Sequence, residues 1–168
     1  YVDYRLQHAK RTNKVEIVNF EHFENAGMHL KEMTKGGADV VIDAVGMDAK
    51  MTDMEFLASG MKLQGAAFGA FIMASQAVRK GGTIQVTGVY GGKYNGFPMG
   101  DIMNRNVNIR SGQAPVIHYM PYMFELVSTG KIDPGDVVSH VLPLSEAKRG
   151  YEIFDTKMDD CIKVVLKP

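Results

Sequence analysis

The sequence predicts an α/β fold built on a largely parallel sheet. Apolar segments of strand length alternate with segments whose apolar residues recur at helical spacing, and glycines close the helical ones. The run Ala38-Asp-Val-Val-Ile-Asp-Ala-Val-Gly46 is apolar almost throughout, as expected of a strand buried on both faces of a parallel sheet. A chain of 168 residues suits one ordinary domain and is long enough to bury a sizeable core.

A first helix is predicted over 3–11, where Leu6 and Ala9 lie three apart among charges and Asp3 stands at the positive end of the helix dipole. Val15-Glu-Ile-Val-Asn-Phe20 is short and β-branched and predicts a strand. Phe23, Ala26, Leu30 and Met33 follow at helical spacing, with Gly36-Gly37 as the stop, so a helix is expected over 22–35. Beyond the 38–46 strand, Met47, Met51, Met54, Leu57 and Met61 recur at helical intervals that Gly60 and Gly65 interrupt. Ala67, Phe71, Ala74 and Val78 make the next helical stripe, closed by Lys80-Gly81-Gly82. Thr83-Ile-Gln-Val-Thr-Gly-Val-Tyr90 then predicts a strand that opens into the glycine-rich 91–96 loop.

Asn106-Val-Asn-Ile-Arg-Ser111 alternates apolar and polar residues, the pattern of a strand with one wetter face. Met120, Met123 and Val127 line a helix that Gly130 ends; Pro121 is tolerated in a first turn, which sets the start near 117. The turn Asp133-Pro-Gly-Asp136 is the one boundary candidate. After it come a strand over 137–142, a helix over 145–155 with Ser145 as N-cap, and a strand over 161–166.

Composition excludes several functions. Nineteen Lys and Arg balance nineteen Asp and Glu, so no global charge drives the chain to nucleic acid or anionic lipid, and the aromatic residues are not interleaved with a basic patch. No apolar run approaches the roughly 20 residues that cross a bilayer. Cys161 has no second cysteine to pair with and begins an apolar stretch, which reads as a buried structural thiol in a reducing, cytoplasmic setting. The opening Tyr1-Val-Asp-Tyr-Arg5 lacks an initiator methionine and a leader pattern, and reads as the interior of a longer polypeptide. The twelve methionines fit either core filling or an adaptable partner surface.

Motifs that would name a chemistry outright are missing. Gly88-Val-Tyr-Gly-Gly-Lys93 has the wrong spacing for a phosphate-binding Walker loop, and there is no G-x-G-x-x-G fingerprint, no G-x-S-x-G elbow and no Tyr-x-x-x-Lys pair. The histidines His8, His22, His29, His118 and His140 form no metal-binding pair, and one cysteine cannot make C-x-x-C.

Three segments taken together resemble the coenzyme-binding half of the medium-chain, zinc-dependent alcohol dehydrogenase family. They are Thr34-Lys-Gly-Gly-Ala-Asp-Val-Val-Ile-Asp-Ala-Val-Gly46, Val78-Arg-Lys-Gly-Gly-Thr-Ile-Gln-Val-Thr-Gly-Val89, and the tail from Leu142-Pro-Leu-Ser-Glu-Ala-Lys-Arg-Gly-Tyr-Glu-Ile-Phe-Asp155 through Cys161-Ile-Lys-Val-Val-Leu-Lys-Pro168. In order and spacing they span nearly the whole chain. The first alone also suits methyltransferases, and within the family the sequence looks nearest to bacterial alcohol or formaldehyde dehydrogenases.

The resemblance implies a truncated Rossmann-like, doubly wound sheet over 1–136 that lacks its first strands, and a 137–168 tail belonging to the family's catalytic domain. The zinc ligands of that family, its glycine fingerprint and its ribose-binding acid have no counterpart here. That acid would fall before Tyr1, so Asp3 is read as an N-terminal helix residue, and Asn13-Lys14 replaces the usual Gly-Ala. Carried over position by position, the resemblance implies a nicotinamide cofactor, NAD with NADP the other option. Arg5 would lie by the adenosine ribose, Ala44, Val45 and Gly46 under the adenine and ribose, and Thr87, Gly88 and Val89 against the nicotinamide ribose. Ser111, Gly112 and Gln113 would face the carboxamide and Lys163 the pyrophosphate. Plain alternatives stand beside these: Arg5 as a solvated helix cation, Lys163 as an ordinary strand lysine, the glycines as strand-end turns.

The expected function is therefore the C-terminal part of a zinc-containing, NAD(P)-dependent alcohol or aldehyde dehydrogenase, incomplete as a catalyst on its own and holding no zinc ligand. A homo-oligomer paired through 107–109 is expected by the same resemblance. The competing readings are a non-catalytic Rossmann-like oligomerisation module and a methyltransferase fragment.

Overall fold

The protein is described by a computed structural model over residues 1–46, 65–90 and 96–168; the predicted methionine stripe between 47 and 61 and most of the 91–96 loop lie outside the described residues. Contacts divide the chain into two units, Phe20–Ala114 and Tyr1–Asn19 with Pro115–Pro168.

In the Phe20–Ala114 unit three parallel strands lie in the order β1-β2-β3: β1 Ala38–Asp43, β2 Val78–Val86 and β3 Asn108–Ser111. This is the predicted parallel α/β sheet. Helix α2, Ala26–Met33, begins later than the expected residue 22 because Asn25 is the better cap, its side chain accepting the Met28 amide at 2.9 Å. The three residues Phe20–His22 form a 3-10 turn instead, and no strand forms over 15–20. β-branched composition does not make a strand where no described strand lies alongside to complete its ladder.

Helix α3, Gly65–Ala77, carries no charged residue and buries Phe71, Ala74 and Ala77 against the sheet. It hands over directly to β2, so Val78, fully buried, is a strand residue and not the last of the helical stripe. Arg105 makes that junction feasible. Its guanidinium donates to the Ser75 carbonyl at 2.6 Å and to the Val78 carbonyl at 2.9 Å, answering acceptors that a helix end leaves without partners. Arg105 itself follows α4, Met99–Asn104, a helix with no forewarning in the sequence pattern. Phe71, Ala74, Val78, Ile84 and Ile102 form the core of this unit.

Strand β1 departs from expectation. Val40 and Ile42 are 55% and 66% exposed, while Val41 packs on the core and Asp43 is buried, so one face of the strand is covered and the other open. The continuous apolar run signalled two covered faces; α3 supplies cover to one. Between the pairs Ala38↔Val78 and Val40↔Thr83 the register shifts, β2 carrying three residues more than β1 there, and beyond that bulge the pairing runs without interruption to Asp43↔Val86.

In the second unit, α1 spans Asp3–Asn13 and α5 spans Val116–Ser128. Pro121 lies in the second turn of α5, past the position expected of it. Its absent N–H would have met the carbonyl of Ile117, and Ile117 is 91% exposed, so the carbonyl left without that bond is not forced into an apolar interior. The turn Pro134–Val137 is a 3-10 segment, so β4 starts at His140 rather than 137 and runs to Pro143. Leu144–Glu146 forms another 3-10 turn, which absorbs Ser145 and leaves Glu146, whose side chain caps no amide and accepts from Arg149 at 3.0 Å instead, as the cap residue of α6, Ala147–Asp155. Strand β5, Val164–Lys167, pairs parallel with β4. Cys161 is buried as predicted but precedes that strand in a turn.

Candidate functional site

The site follows from register. Asp43 pairs with Val86 and Val86 with Ser111, so all three parallel strands of the Phe20–Ala114 unit end on one line. The segments that leave those ends are 44–46, 87–89 and 111–113, at the carboxyl edge where open α/β sheets bind ligands. All of the predicted site residues except Arg5 and Lys163 are therefore brought to one edge. The predicted 83–90 strand stops at Val86, which frees Thr87, Gly88 and Val89 to turn.

Backbone bonds lock that turn onto β1. The Thr87 and Gly88 amides both donate to the Asp43 carbonyl, at 2.8 and 2.9 Å, and the Val89 amide donates to the Val45 carbonyl at 3.0 Å. A Cβ on Gly88 would lie 2.8 Å from the Val45 carbonyl oxygen, so only glycine fits this approach. At Gly46 a Cβ would meet no described protein atom within 4 Å.

Beyond the turn opens a cavity of about 710 Å³, within the size range of small-molecule sites. Thr87–Val89 and Ser111–Gln113 form one side; Phe71 and Phe97, stacked with ring centroids 5.1 Å apart, form an apolar wall opposite in character. The arrangement offers exposed main-chain and hydroxyl groups beside an aromatic surface, which suits a flat, partly polar ring. Under the edge sits the Asp43 carboxylate, 5% exposed: one oxygen accepts the Val45 amide at 3.0 Å and the other accepts the Tyr90 hydroxyl. Sequence reading passed over Asp43 and Tyr90. The available signal was an ionisable residue near the end of an apolar strand, a position where charge is rare without a specific partner.

Arg5 and Lys163 lie in the other unit. Arg5 is no solvated cation: it donates to the Cys161 carbonyl at 3.2 Å and to the Tyr4 hydroxyl at 3.2 Å, and its guanidinium stands 5.8 Å from the Phe154 ring. Lys163 is exposed beside a smaller cavity of about 240 Å³ with Gly150, Tyr151 and Phe154.

No protein-family profile matches the chain. An uncharacterised zinc-type alcohol dehydrogenase-like protein of Bacillus subtilis, AdhB, is 84% identical over all 168 residues, which make up 44% of that protein. The chain is homologous to zinc-type alcohol dehydrogenases over its whole length. An alcohol dehydrogenase of Thermus sp. ATN1, TADH, superposes with a TM-score of 0.78 at 30% identity, over 99% of this chain and 41% of that one. An alcohol dehydrogenase of Escherichia coli CFT073, solved with NADH, shares the fold with a TM-score of 0.72 at 16% identity, over 99% of this chain and 42% of its own. The chain thus spans less than half the length of these relatives. The dehydrogenase resemblance and the Rossmann-like parallel sheet expected from it both hold.

The described residues offer no set that fits zinc. Among the described residues no three His, Cys, Asp or Glu side chains gather where a metal ion could be held. Also among the described residues, no helix is long and apolar enough to cross a membrane.

Proposed function

We propose that this chain forms the nicotinamide-side part of the cofactor cradle of a zinc-type, NAD-dependent alcohol or aldehyde dehydrogenase. The carrying observation is the alignment of three strand ends, 44–46, 87–89 and 111–113, beside a cavity of about 710 Å³. Bound there, the cofactor would supply the hydride-accepting ring. The chain's own residues do the holding: Thr87 and Val89 line one side of the ring's place, Ser111, Gly112 and Gln113 offer groups for its carboxamide, and Phe71 with Phe97 keep water from the apolar side. Ala44, Val45 and Gly46 would serve the adenosine half. Roles for Arg5 at the ribose and Lys163 at the pyrophosphate rest on the resemblance alone, as do the division into a 1–136 cofactor domain with a 137–168 tail and a cytoplasmic location.

Titration with NADH, followed by its fluorescence, tests this. The chain contains no tryptophan, so the nucleotide signal is unobscured. Saturable binding of NADH is expected, weaker binding of NADPH, and none of S-adenosylmethionine; preference for S-adenosylmethionine would replace the dehydrogenase reading by a methyltransferase one. The purified chain should not oxidise simple alcohols, with or without added zinc. Turnover by it would refute the incomplete-cradle reading.

A second reading, self-association as a homo-oligomer, is favoured by a separate observation. All four residues of β3 are exposed, and α5 presents Ile117 and Phe124 at 91% and 73% exposure.

A further inference from the structure

The Asp43 carboxylate is buried and acceptor-only, a combination that costs free energy unless donors reach its oxygens. Those donors come from two different segments: the Val45 amide from the turn after β1, and the Tyr90 hydroxyl from the residues after β2. The Asp43 main chain adds two more links, taking the Thr87 and Gly88 amides on one carbonyl. Gly88 crosses directly above, where a Cβ would stand 3.1 and 3.2 Å from the carboxylate oxygens. One residue is therefore bonded to both loops of the candidate site, while it does not itself line the cavity.

We propose that Asp43 is a positioning residue: acting through the Tyr90 hydroxyl, its carboxylate fixes the Thr87-Gly88-Val89 turn at the cavity and so sets the affinity for the cofactor without touching it. The cofactor half of this statement rests on the dehydrogenase reading above; the positioning half does not. A neutral side chain could hold the turn less firmly, because hydrogen bonds to a charged acceptor are about twice as strong as neutral ones. The commitment of the Tyr90 proton follows from the same chemistry, since a carboxylate can only accept.

The test is amide hydrogen exchange by NMR on the 168-residue chain, together with NADH titration, for Tyr90→Phe, Asp43→Ala and Asp43→Asn. Tyr90→Phe removes one hydroxyl from a half-buried ring and should leave the fold intact even if Asp43→Ala does not. Exchange at Thr87, Gly88 and Val89 is expected to quicken roughly tenfold in Tyr90→Phe, with Ile84 in the β2 ladder unaffected and NADH affinity lowered by a similar factor. Asp43→Asn, which can still accept from Val45 and meet Tyr90 through its amide but without the charge, should recover part of the protection that Asp43→Ala loses. Unchanged exchange at the turn overturns the proposal. So does equal acceleration at Ile84, which would mean a general loss of stability, and so does faster exchange with unaltered NADH affinity. If the unaltered chain binds no NADH, the dehydrogenase reading fails, and the exchange rates still decide whether Asp43 positions the turn.

Discussion

Gly88 crosses a buried carboxylate at a distance no side chain can share. In Gly88→Ala the new methyl would press on main-chain and charged oxygens, neither of which can swing aside, so the turn itself must lift. We expect a loss of about 1–3 kcal/mol in urea unfolding, the usual range for overpacking, and a large drop in NADH affinity. Gly46→Ala, where a Cβ meets no protein atom, should leave the urea midpoint unchanged. At Asp101 the sign of a pH effect can be worked out. The hydrogen bond from the Arg105 guanidinium, opposed in part by burial and aided by the charges of Arg105 and Lys31, holds its carboxyl below the usual value of 3.8. A depressed folded pKa means stability that is present above the unfolded value and lost as pH falls through the folded one. Asp101 is half exposed, so the pair contributes at most about 1 kcal/mol. Asp101→Asn should therefore be slightly less stable than the natural chain at about pH 7, and the gap should close as pH falls through the depressed folded-state pKa, as read from urea midpoints.

Helices α2 and α3 meet at Gly27, where a Cβ would lie 2.5 Å from the Gln76 amide oxygen and 2.8 Å from the Met73 carbonyl. The first neighbour is a movable tip, but the second is helix backbone. Gly27→Ala gains helix propensity of roughly 1 kcal/mol and should still be destabilising, because the helices must separate. Calorimetry giving a higher Tm for this variant would count against the close approach. At this scale the sequence was legible wherever period and neighbours agreed. Thr87, Ser111 and their followers were reached through the family resemblance; the strand pattern alone ran the second strand on to Tyr90, because Thr87 and Val89 continue its β-branched character past Val86. Val78 was misplaced because it continues the spacing of Phe71 and Ala74 while already belonging to β2. Residues 15–20 have strand composition without a ladder, a fact no local pattern contains. Asp43 and Tyr90 stand 47 residues apart, and their bond arises only when the sheet brings them together.

For the molecule as a whole, exposed apolar surface is the feature with consequences in solution. Ile117 and Phe124 on α5, and β3 with Ile109, present groups that a lone soluble chain seldom leaves bare together. Light scattering should give a mass at least twice that of the chain, and Phe124→Glu should lower it; a monomer at all concentrations would contradict self-association. The bulge where β2 outruns β1 by three residues has a separate consequence. It lies at the amino end of the strand pair, with the Gly81 amide tied to the Arg105 carbonyl at 2.8 Å, while the site lies at the carboxyl end. A one-residue change of length in a strand ordinarily slides every later pair and turns each side chain to the opposite face. Here the slack is already gathered upstream, so a residue added to or removed from 79–82 can be taken up before Val40↔Thr83. A change of length confined to that corner would leave Gly88 over Asp43, which makes 79–82 the place to try an inserted tag or probe.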